Sequence, residues 1–349
     1  MQYIRADANP TIATGHIMRC MAIGKQIQEY GEQVTFIVAD NYPCNLLSQH
    51  GFPYIVLNSD WRNMEEELPV MRNIAEQYGI NSILVDSYQV TERYFTELKK
   101  IIQYIYFIDD NNKCTADVTG VINYSHYFKE FGYGLAYQNS ESKLWLGCDF
   151  IPLRKEFSEL KDKVINSEVR NVMVTTGGSD YYKVTDLVIE TLASHYVEVV
   201  FHVVVGCFFQ EDNNLLTLKE KNNNVILYHN ISSMANLMKQ CDMAISAGGT
   251  TLYELCATGV PTICFSVADN QLKGTKAMEK DRIMLYIGDI RDGRELFCCH
   301  LNHAFEIIQN RNLRQQYSNK MKKLVDGEGS KRIAGIMLDK DTGKGEDAL

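Results

Sequence analysis

The residues best suited to chemistry sit in three segments, each following an apolar run and opening a helical pattern. The first is RADANPTIATGHIMRC, from Arg5 to Cys20. An apolar run ends near Ala6, a polar turn follows, and Thr14-Gly15-His16 leads into a helix. A strand–loop–helix aims backbone N–H groups and the positive end of a helix dipole at an anion. Gly15 permits close backbone approach. His16 then stands at a strand's carboxyl edge with an imidazole able to exchange a proton near neutral pH. A lone histidine commonly caps a helix or packs beneath a loop; here three features converge on a general base.

The second segment is TTGGSD, Thr175 to Asp180, where Gly177 and Gly178 allow a tight turn beside a ligand. Glycines after a strand are also ordinary turn punctuation. The third runs from Tyr228 to Gln271. Ser232 and Ser233 suit a helix N-cap. Ser246-Ala247-Gly248-Gly249-Thr250-Thr251 opens a helix as a second phosphate-type cradle. Glu254 lies one turn further on the same face, where a carboxylate can accept two hydrogen bonds from a ribose diol. Gly259-Val260-Pro261 ends that helix, and Asp269-Asn270-Gln271 begins another at a strand end. The competing reading is plain Gly/Thr turn chemistry with Glu254 solvated.

Asp86 and Tyr88 (VDSY) end one strand on the cleft side, and Asp109 and Asp110 (IDD) end another. Such carboxylates polarise a ligand, hold a metal or cap the next helix. Cys298, Cys299, His300 and His303 fit no ordinary zinc spacing and lie in a helical pattern, so packing is expected and no metal site.

These segments need elements to position them. Strands are expected at Tyr3–Ala6, Gln33–Val38, Tyr54–Leu57, Ser82–Val85, Tyr104–Ile108 and Gly120–Asn123, with helices over Ile17–Tyr30, Met64–Tyr78 and Thr91–Ile102. A second series has strands at Asn171–Thr175, Val199–Val205, Val225–Tyr228, Met243–Ile245 and Thr262–Phe265. Its helices are expected over Val184–Ser194, Ser233–Lys239, Thr251–Thr258, Gln271–Met284 and Arg294–Arg311. The fold class is therefore α/β, with two consecutive Rossmann-like domains whose parallel sheets face a central cleft. The expected domains are 1–155, carrying the His16 loop, and 156–336, followed by a polar tail 337–349. Ligands of open parallel sheets sit beyond the carboxyl ends of the strands.

The chain has 349 residues, enough for about two domains. Its 35 basic and 44 acidic residues give a net charge of −9, a poor surface for nucleic acid. No apolar stretch is long enough to cross a membrane. Ten scattered cysteines and no secretory signal suggest a reducing cytoplasm with free thiols. The expected partner is a small molecule, without cofactor, bound by a monomer.

GHIMRC, VDSY, IDD, LRKEF, TTGGSD, the SAGGTTLYELCATGVP–DNQ block and DGEGSKRIA together resemble the nucleotide-sugar hydrolases of pseudaminic acid biosynthesis. The resemblance covers about residues 3 to 336. The third segment is also similar to the nucleotide-binding domain of the N-acetylglucosaminyltransferase that makes lipid II, and spore-coat polysaccharide proteins share the outline. Ala13 stands where the family pattern has glycine, and Cys148 and Phe150 stand where it has proline and tyrosine.

The resemblance implies a GT-B architecture with UDP held mainly by the C-terminal domain. It implies that His16 is catalytic; Gly15, Arg19, Asp86 and Tyr88 are counted beside it as candidate substrate-binding residues, and Asp86 and Tyr88 keep their alternative as helix caps. It places Asn230, Ile231 and Met234 at uracil and Glu254 at the ribose. Gly248, Gly249, Thr250 and Thr251 would meet the diphosphate with help from Gly177 and Gly178, while Asn270 and Gln271 would face sugar or diphosphate. The implied reaction is hydrolysis of a UDP-linked 2,4-diacetamido-2,4,6-trideoxyhexose by water attack at the anomeric carbon, with inversion. The alternative is a glycosyltransferase of the same fold using an acceptor hydroxyl.

Overall fold

The computed structural model describes residues 1–340 apart from 10, 113, 207, 208 and 210–212. Cys207 and most of the polar tail therefore lie outside the described residues. The chain divides into two compact units, one made of Met1–Lys155 with Glu328–Leu349, the other of Glu156–Gly327.

The first unit is built on β1 (Gln2–Ala6), β2 (Val34–Val38), β3 (Tyr54–Val56), β4 (Ser82–Asp86), β5 (Tyr104–Ile108), β6 (Gly120–Asn123) and β7 (Lys143–Leu146). All pairings are parallel, in the order β3-β2-β1-β4-β5-β6-β7. The helices between strands are α1 (Gly15–Glu29), α2 (Cys44–Gln49), α3 (Leu68–Tyr78), α4 (Glu92–Leu98) and the single turn α5 (Tyr133–Ala136). Strands such as VTFIV and SILVD are buried at every position, as expected of a parallel sheet covered on both faces.

The second unit repeats the plan with β8 (Asn171–Thr175), β9 (Val200–Val204), β10 (Val225–Tyr228), β11 (Met243–Ala247), β12 (Thr262–Ser266) and β13 (Leu285–Asp289), in the parallel order β10-β9-β8-β11-β12-β13. Around it lie α6 (Val184–Leu192), α7 (Asn213–Lys221), α8 (Met234–Gln240), α9 (Thr251–Thr258), α10 (Asp269–Lys280), α11 (Arg294–Ile308) and α12 (Arg311–Leu324). One apolar cluster of this unit joins Val172, Val174, Phe201, Ile245 and Ile263 to Val188, Phe297 and Phe305 from the covering helices.

The expected 156–336 domain needs correction. The last helix, α13 (Gly329–Met337), belongs to the first unit, where it packs on α1. Three contacts fix it there. A Cβ on Gly329 would fall 2.2 Å from the Ile151 carbonyl, so only glycine allows that approach. Ser330 Oγ donates to the Leu153 carbonyl at 2.7 Å, and Arg332 Nη1 donates to the Asp149 carbonyl at 2.8 Å. The expected helix over Met64–Tyr78 also differs. It starts as a 3-10 turn at Met64–Glu67 before α3, with Pro69 in the first turn of α3, where a missing N–H costs nothing.

Candidate functional site

In each sheet the chain order reverses once. It reverses between β1 and β4 in the first unit and between β8 and β11 in the second. Loops leaving two such neighbouring strands diverge to opposite faces and open a crevice at their carboxyl ends, where ligands of doubly wound sheets bind.

In the first unit the loop after β1 delivers His16 on the opening turn of α1, Arg19 follows three residues on, and β4 ends on Asp86. His16 Nδ1 lies 2.7 Å from Asp86 Oδ1. Arg19 donates through Nε to Asp86 Oδ2 at 2.5 Å and through Nη2 to Asp86 Oδ1. Its Nη1 reaches Asp110 Oδ2 at 2.8 Å and the Tyr124 hydroxyl. Tyr88 and Tyr124 each donate to the same Asp110 oxygen at 2.9 Å. The Tyr88 ring stands edge-on to His16, centroids 4.5 Å apart. Asp86, Asp110 and Tyr124 follow β4, β5 and β6 or end them, so adjacent strands line the cluster in register.

The electrostatics assign protons. Burial opposes ionisation of Asp86, but Arg19 and then His16 outweigh it and hold the carboxyl well below the ordinary carboxylate range. Burial, then Asp110, push the Tyr88 phenol up, and burial does the same to Tyr124, so both stay protonated donors. Arg19 Nη2 also lies 3.0 Å from His16 Nδ1, but the ionised Asp86, which can only accept, is nearer at 2.7 Å; Nδ1 therefore donates to Asp86 and Nε2 is left as the acceptor. The cluster sets the carboxylates of Asp86 and Asp110 against the Arg19 guanidinium.

A second buried network lies beside it. Arg5 makes a bidentate pair with Glu67, Nε to Oε1 at 2.9 Å and Nη2 to Oε2 at 2.7 Å, and its Nη1 lies 2.7 Å from Asp7 Oδ2. Tyr94 donates to Glu67 Oε1 at 2.9 Å. The network braces β1 against the helices that cover it, and nothing in the RADA motif alone shows Glu67 as the partner.

In the second unit the candidate residues follow four strands at one sheet edge. Gly177 and Gly178 follow β8; Asn230, Ile231 and Met234 follow β10; Gly248 to Thr251 follow β11; Asn270 and Gln271 open α10 after β12. Gly177 has a left-handed φ of +89°, which the turn requires. Gly248 packs tightly, since a Cβ there would lie 2.7 Å from Thr275 Cγ2 and 3.0 Å from Gln271 Cβ. Gln271 Oε1 accepts from Val267 N at 2.9 Å. Gly249 and Gly15 differ: an added Cβ at either meets nothing within 4 Å, and neither has a left-handed φ. The protein's own packing does not demand glycine at those two helix starts. Neither Thr14 nor Thr250 caps its helix through its side chain. Ser233, by contrast, accepts from Asn236 N at 3.2 Å, as expected of an N-cap.

Several other residues singled out in the sequence make local structural contacts. Asp109 accepts from Asn111 N at 3.2 Å, Asn112 N at 2.8 Å and the Tyr133 hydroxyl at 3.0 Å, a turn-capping role. Asp180 accepts from Val184 N at 2.8 Å and Thr185 N at 2.9 Å at the start of α6. Cys298 to His303 all lie on α11, and His300 Nδ1 meets the Ile287 carbonyl at 3.0 Å. Among the described residues, no group of three or more His, Cys, Asp or Glu could hold a metal ion, and no helix is long and apolar enough to cross a membrane. Arg19 as the hub joining Asp86 to Asp110 and Tyr124 was missed by sequence reasoning. The available signal is that a polar residue directly follows each of these apolar strands.

Two parallel-sheet α/β units in series define a GT-B fold. Residues 171–287 match the glycosyltransferase family 28 C-terminal domain. MurG of Acinetobacter baumannii shares the fold with a TM-score of 0.70 at 14% identity, over 97% of this chain and 99% of that one. Medicago truncatula UGT71G1, solved with UDP-glucose, gives 0.64 at 13% identity over 97% of each chain. Among curated proteins, the chain is 27% identical over 280 residues to a Helicobacter pylori protein named pseudaminic acid cytidylyltransferase and UDP-2,4-diacetamido-2,4,6-trideoxy-beta-L-altropyranose hydrolase. That match covers 79% of this chain and 46% of the relative. The spore coat polysaccharide biosynthesis protein SpsG of Bacillus subtilis is 26% identical over 211 residues, 58% of this chain and 60% of the relative. An uncharacterised Methanocaldococcus jannaschii protein is 24% identical over 270 residues, 74% of this chain and 54% of the relative. The chain thus spans about half the length of the curated relatives it matches.

Proposed function

We propose that the protein is a nucleotide-sugar enzyme of polysaccharide biosynthesis that hydrolyses a UDP-linked 2,4-diacetamido-2,4,6-trideoxyhexose to UDP and the free sugar. The observation that carries the reading is the His16–Asp86 pair at 2.7 Å, which leaves Nε2 of a buried histidine as an acceptor at the start of a helix. The family 28 match and the Helicobacter relative support a UDP-sugar as the ligand.

In this reading the second unit holds UDP. Asn230, Ile231 and Met234 meet the base, and Glu254 accepts from the ribose hydroxyls. Gly248 to Thr251 meet the diphosphate with Gly177 and Gly178. N–H donors aimed at a leaving diphosphate stabilise its developing charge, at roughly 3–4 kcal/mol per well-placed donor in other enzymes. His16 takes a proton from water as that water bonds to the anomeric carbon, a contribution of about 10²–10⁴-fold. The bond from carbon to the UDP oxygen breaks with its electron pair leaving on UDP. A single displacement of this kind inverts the anomeric centre. Asn270 and Gln271 face the sugar or diphosphate, and Gly15, Arg19 and Tyr88 frame the sugar side.

Transfer to an acceptor hydroxyl is the second reading, because MurG and UGT71G1 share the fold. The test is turnover of UDP-2,4-diacetamido-2,4,6-trideoxy-β-L-altropyranose in 18O-labelled water, with mass analysis of both products. Label in the free sugar alone is expected. Label in UDP would mean attack at phosphorus, and absence of turnover without an added acceptor would favour transfer.

A further inference from the structure

The first unit contains a cavity of about 10 Å3 directly beside His16, roughly the room one water molecule needs. Its lining includes His16, Tyr88, Ser87 and Gln89, together with Trp61 and Ile12. Trp61 lies outside the three segments and Ile12 within the first, and neither takes part in the His16 hydrogen-bond cluster.

Both are held by short turns tied down by a side chain. Asp60 Oδ1 accepts from Arg62 N at 3.0 Å and the Asp60 carbonyl accepts from Asn63 N at 3.0 Å, which presents Trp61 between them. The Arg62 guanidinium lies over the Trp61 ring at 4.9 Å. On the other side, Asn9 Oδ1 accepts from Thr11 N at 2.9 Å and from Ile12 N at 3.1 Å. The third wall, Tyr88, is tethered through its hydroxyl to Asp110. Turns hold the backbone at Trp61 and Ile12, and the Tyr88 hydroxyl is tethered, so the fold itself sets three sides of this space.

We infer that Trp61 and Ile12 are specificity-determining residues that restrict the nucleophile beside His16 to water, excluding even a small alcohol. The inference rests on the hydrolytic reading above. In hydrolysis, the water oxygen bonds to the anomeric carbon, its proton passes to His16 Nε2, and the carbon–oxygen bond to UDP breaks with its electron pair leaving on UDP. With methanol in place of water, the same bonds form and break and the product is a methyl glycoside. A methyl group needs room beyond that of one water molecule, and the space lined by Trp61 and Ile12 holds about one. Pockets discriminate by roughly tenfold or more per carbon.

The experiment uses the full chain with UDP-2,4-diacetamido-2,4,6-trideoxy-β-L-altropyranose in aqueous methanol, and reads the ratio of methyl glycoside to free sugar. The native protein is expected to give free sugar almost exclusively. Trp61→Ala is expected to raise the ratio at least about tenfold, while Trp61→Phe, which keeps an aromatic wall, stays near native. Ile12→Gly opens the opposite wall and is expected to act in the same direction, which covers a Trp61→Ala protein that fails to fold. If the native protein forms methyl glycoside readily, or if UDP is released at native rate by both opened variants with an unchanged ratio, the inference falls and hydrolysis stands. If none of the proteins releases UDP, the hydrolytic reading fails and takes the inference with it.

Discussion

Replacing Asp86 by asparagine tests the site at its centre. The carboxylate is 1% exposed and accepts from Arg19 Nε at 2.5 Å, from Arg19 Nη2, from His16 Nδ1 at 2.7 Å and from Cys20 Sγ at 3.4 Å. The Asp86→Asn change removes the charge that neutralises a buried guanidinium, and breaking a buried pair costs about 3–5 kcal/mol. Arg19 keeps Asp110 at 2.8 Å and the Tyr124 hydroxyl, which points to the lower end of that range. For a unit of this size a loss of about 3 kcal/mol lowers Tm by roughly 6–12 °C. The chemical effect is separate. An amide in place of the carboxylate no longer holds the proton on Nδ1, and where its N–H faces the ring the proton moves to Nε2. That nitrogen then cannot accept from water, and kcat is expected to fall by about 10²–10⁴. The assay is a double-mutant cycle, with UDP release measured for native, Asp86→Asn, His16→Asn and the double variant, at a temperature where all four are folded. Because Asp86 acts through His16, it should cost little once His16 is gone. Equal losses in both backgrounds would refute the argument and give Asp86 a role on substrate or in folding alone. Calorimetric titration with UDP should show unchanged affinity in all four proteins.

Gly249→Ala is expected to leave Tm unchanged or raise it, since the added Cβ meets nothing within 4 Å and stiffens the unfolded chain by about 0.4–1 kcal/mol. UDP affinity should nevertheless fall, and an affinity equal to native would remove Gly249 from the nucleotide site. Ala13 adopts a φ of +56°, which disfavours any residue with a Cβ. Ala13→Gly should stabilise the loop by about 0.5–1 kcal/mol after the entropy of the added glycine, read as a rise in Tm, and a fall would show that the loop strain is not carried there. His202 is wedged neutral between the Tyr228 hydroxyl at 2.9 Å and Asn171 Oδ1 at 3.0 Å, and burial lowers its pKa. The unfolded chain therefore binds that proton more readily than the folded one, so stability is full above the ordinary histidine value of about 6.5 and declines as pH falls below it. His202→Gln should reduce that slope in melts between about pH 8 and 5; an unchanged slope would assign the acid sensitivity to other groups.

The legibility of this chain follows the range of the interactions. Tyr104–Ile108, Gly120–Asn123, Asn171–Thr175 and Val225–Tyr228 are short segments with apolar centres and form strands with those same limits. The edge strands β7 (KLWL) and β13 (LYIGD) escape notice because they are short and mix polar with apolar residues, as sheet edges tolerate. The return of α13 to the first unit depends on Gly329 meeting Ile151 across a long stretch of intervening chain, a contact that no local pattern encodes. The site divides in the same way. His16 announces itself because strand, glycine and helix start are contiguous in sequence. The environment that determines its proton is not contiguous: Asp86, Asp110 and Tyr124 come together only because β4, β5 and β6 stack beside β1 in that order. Strand order is set by crossovers that a local reading cannot resolve, so it picks out His16 and Asp86 separately but not their pairing. Trp61 is further out of reach, since it sits on a turn whose only mark is an aspartate, yet it helps fix the size of the space beside His16. The proposed base is thus named by a local pattern, whereas its hydrogen-bond partners and the space beside it are properties of the folded sheet. A variant that alters strand-end polarity without touching the GHIMRC segment should therefore change the chemistry as strongly as one within it.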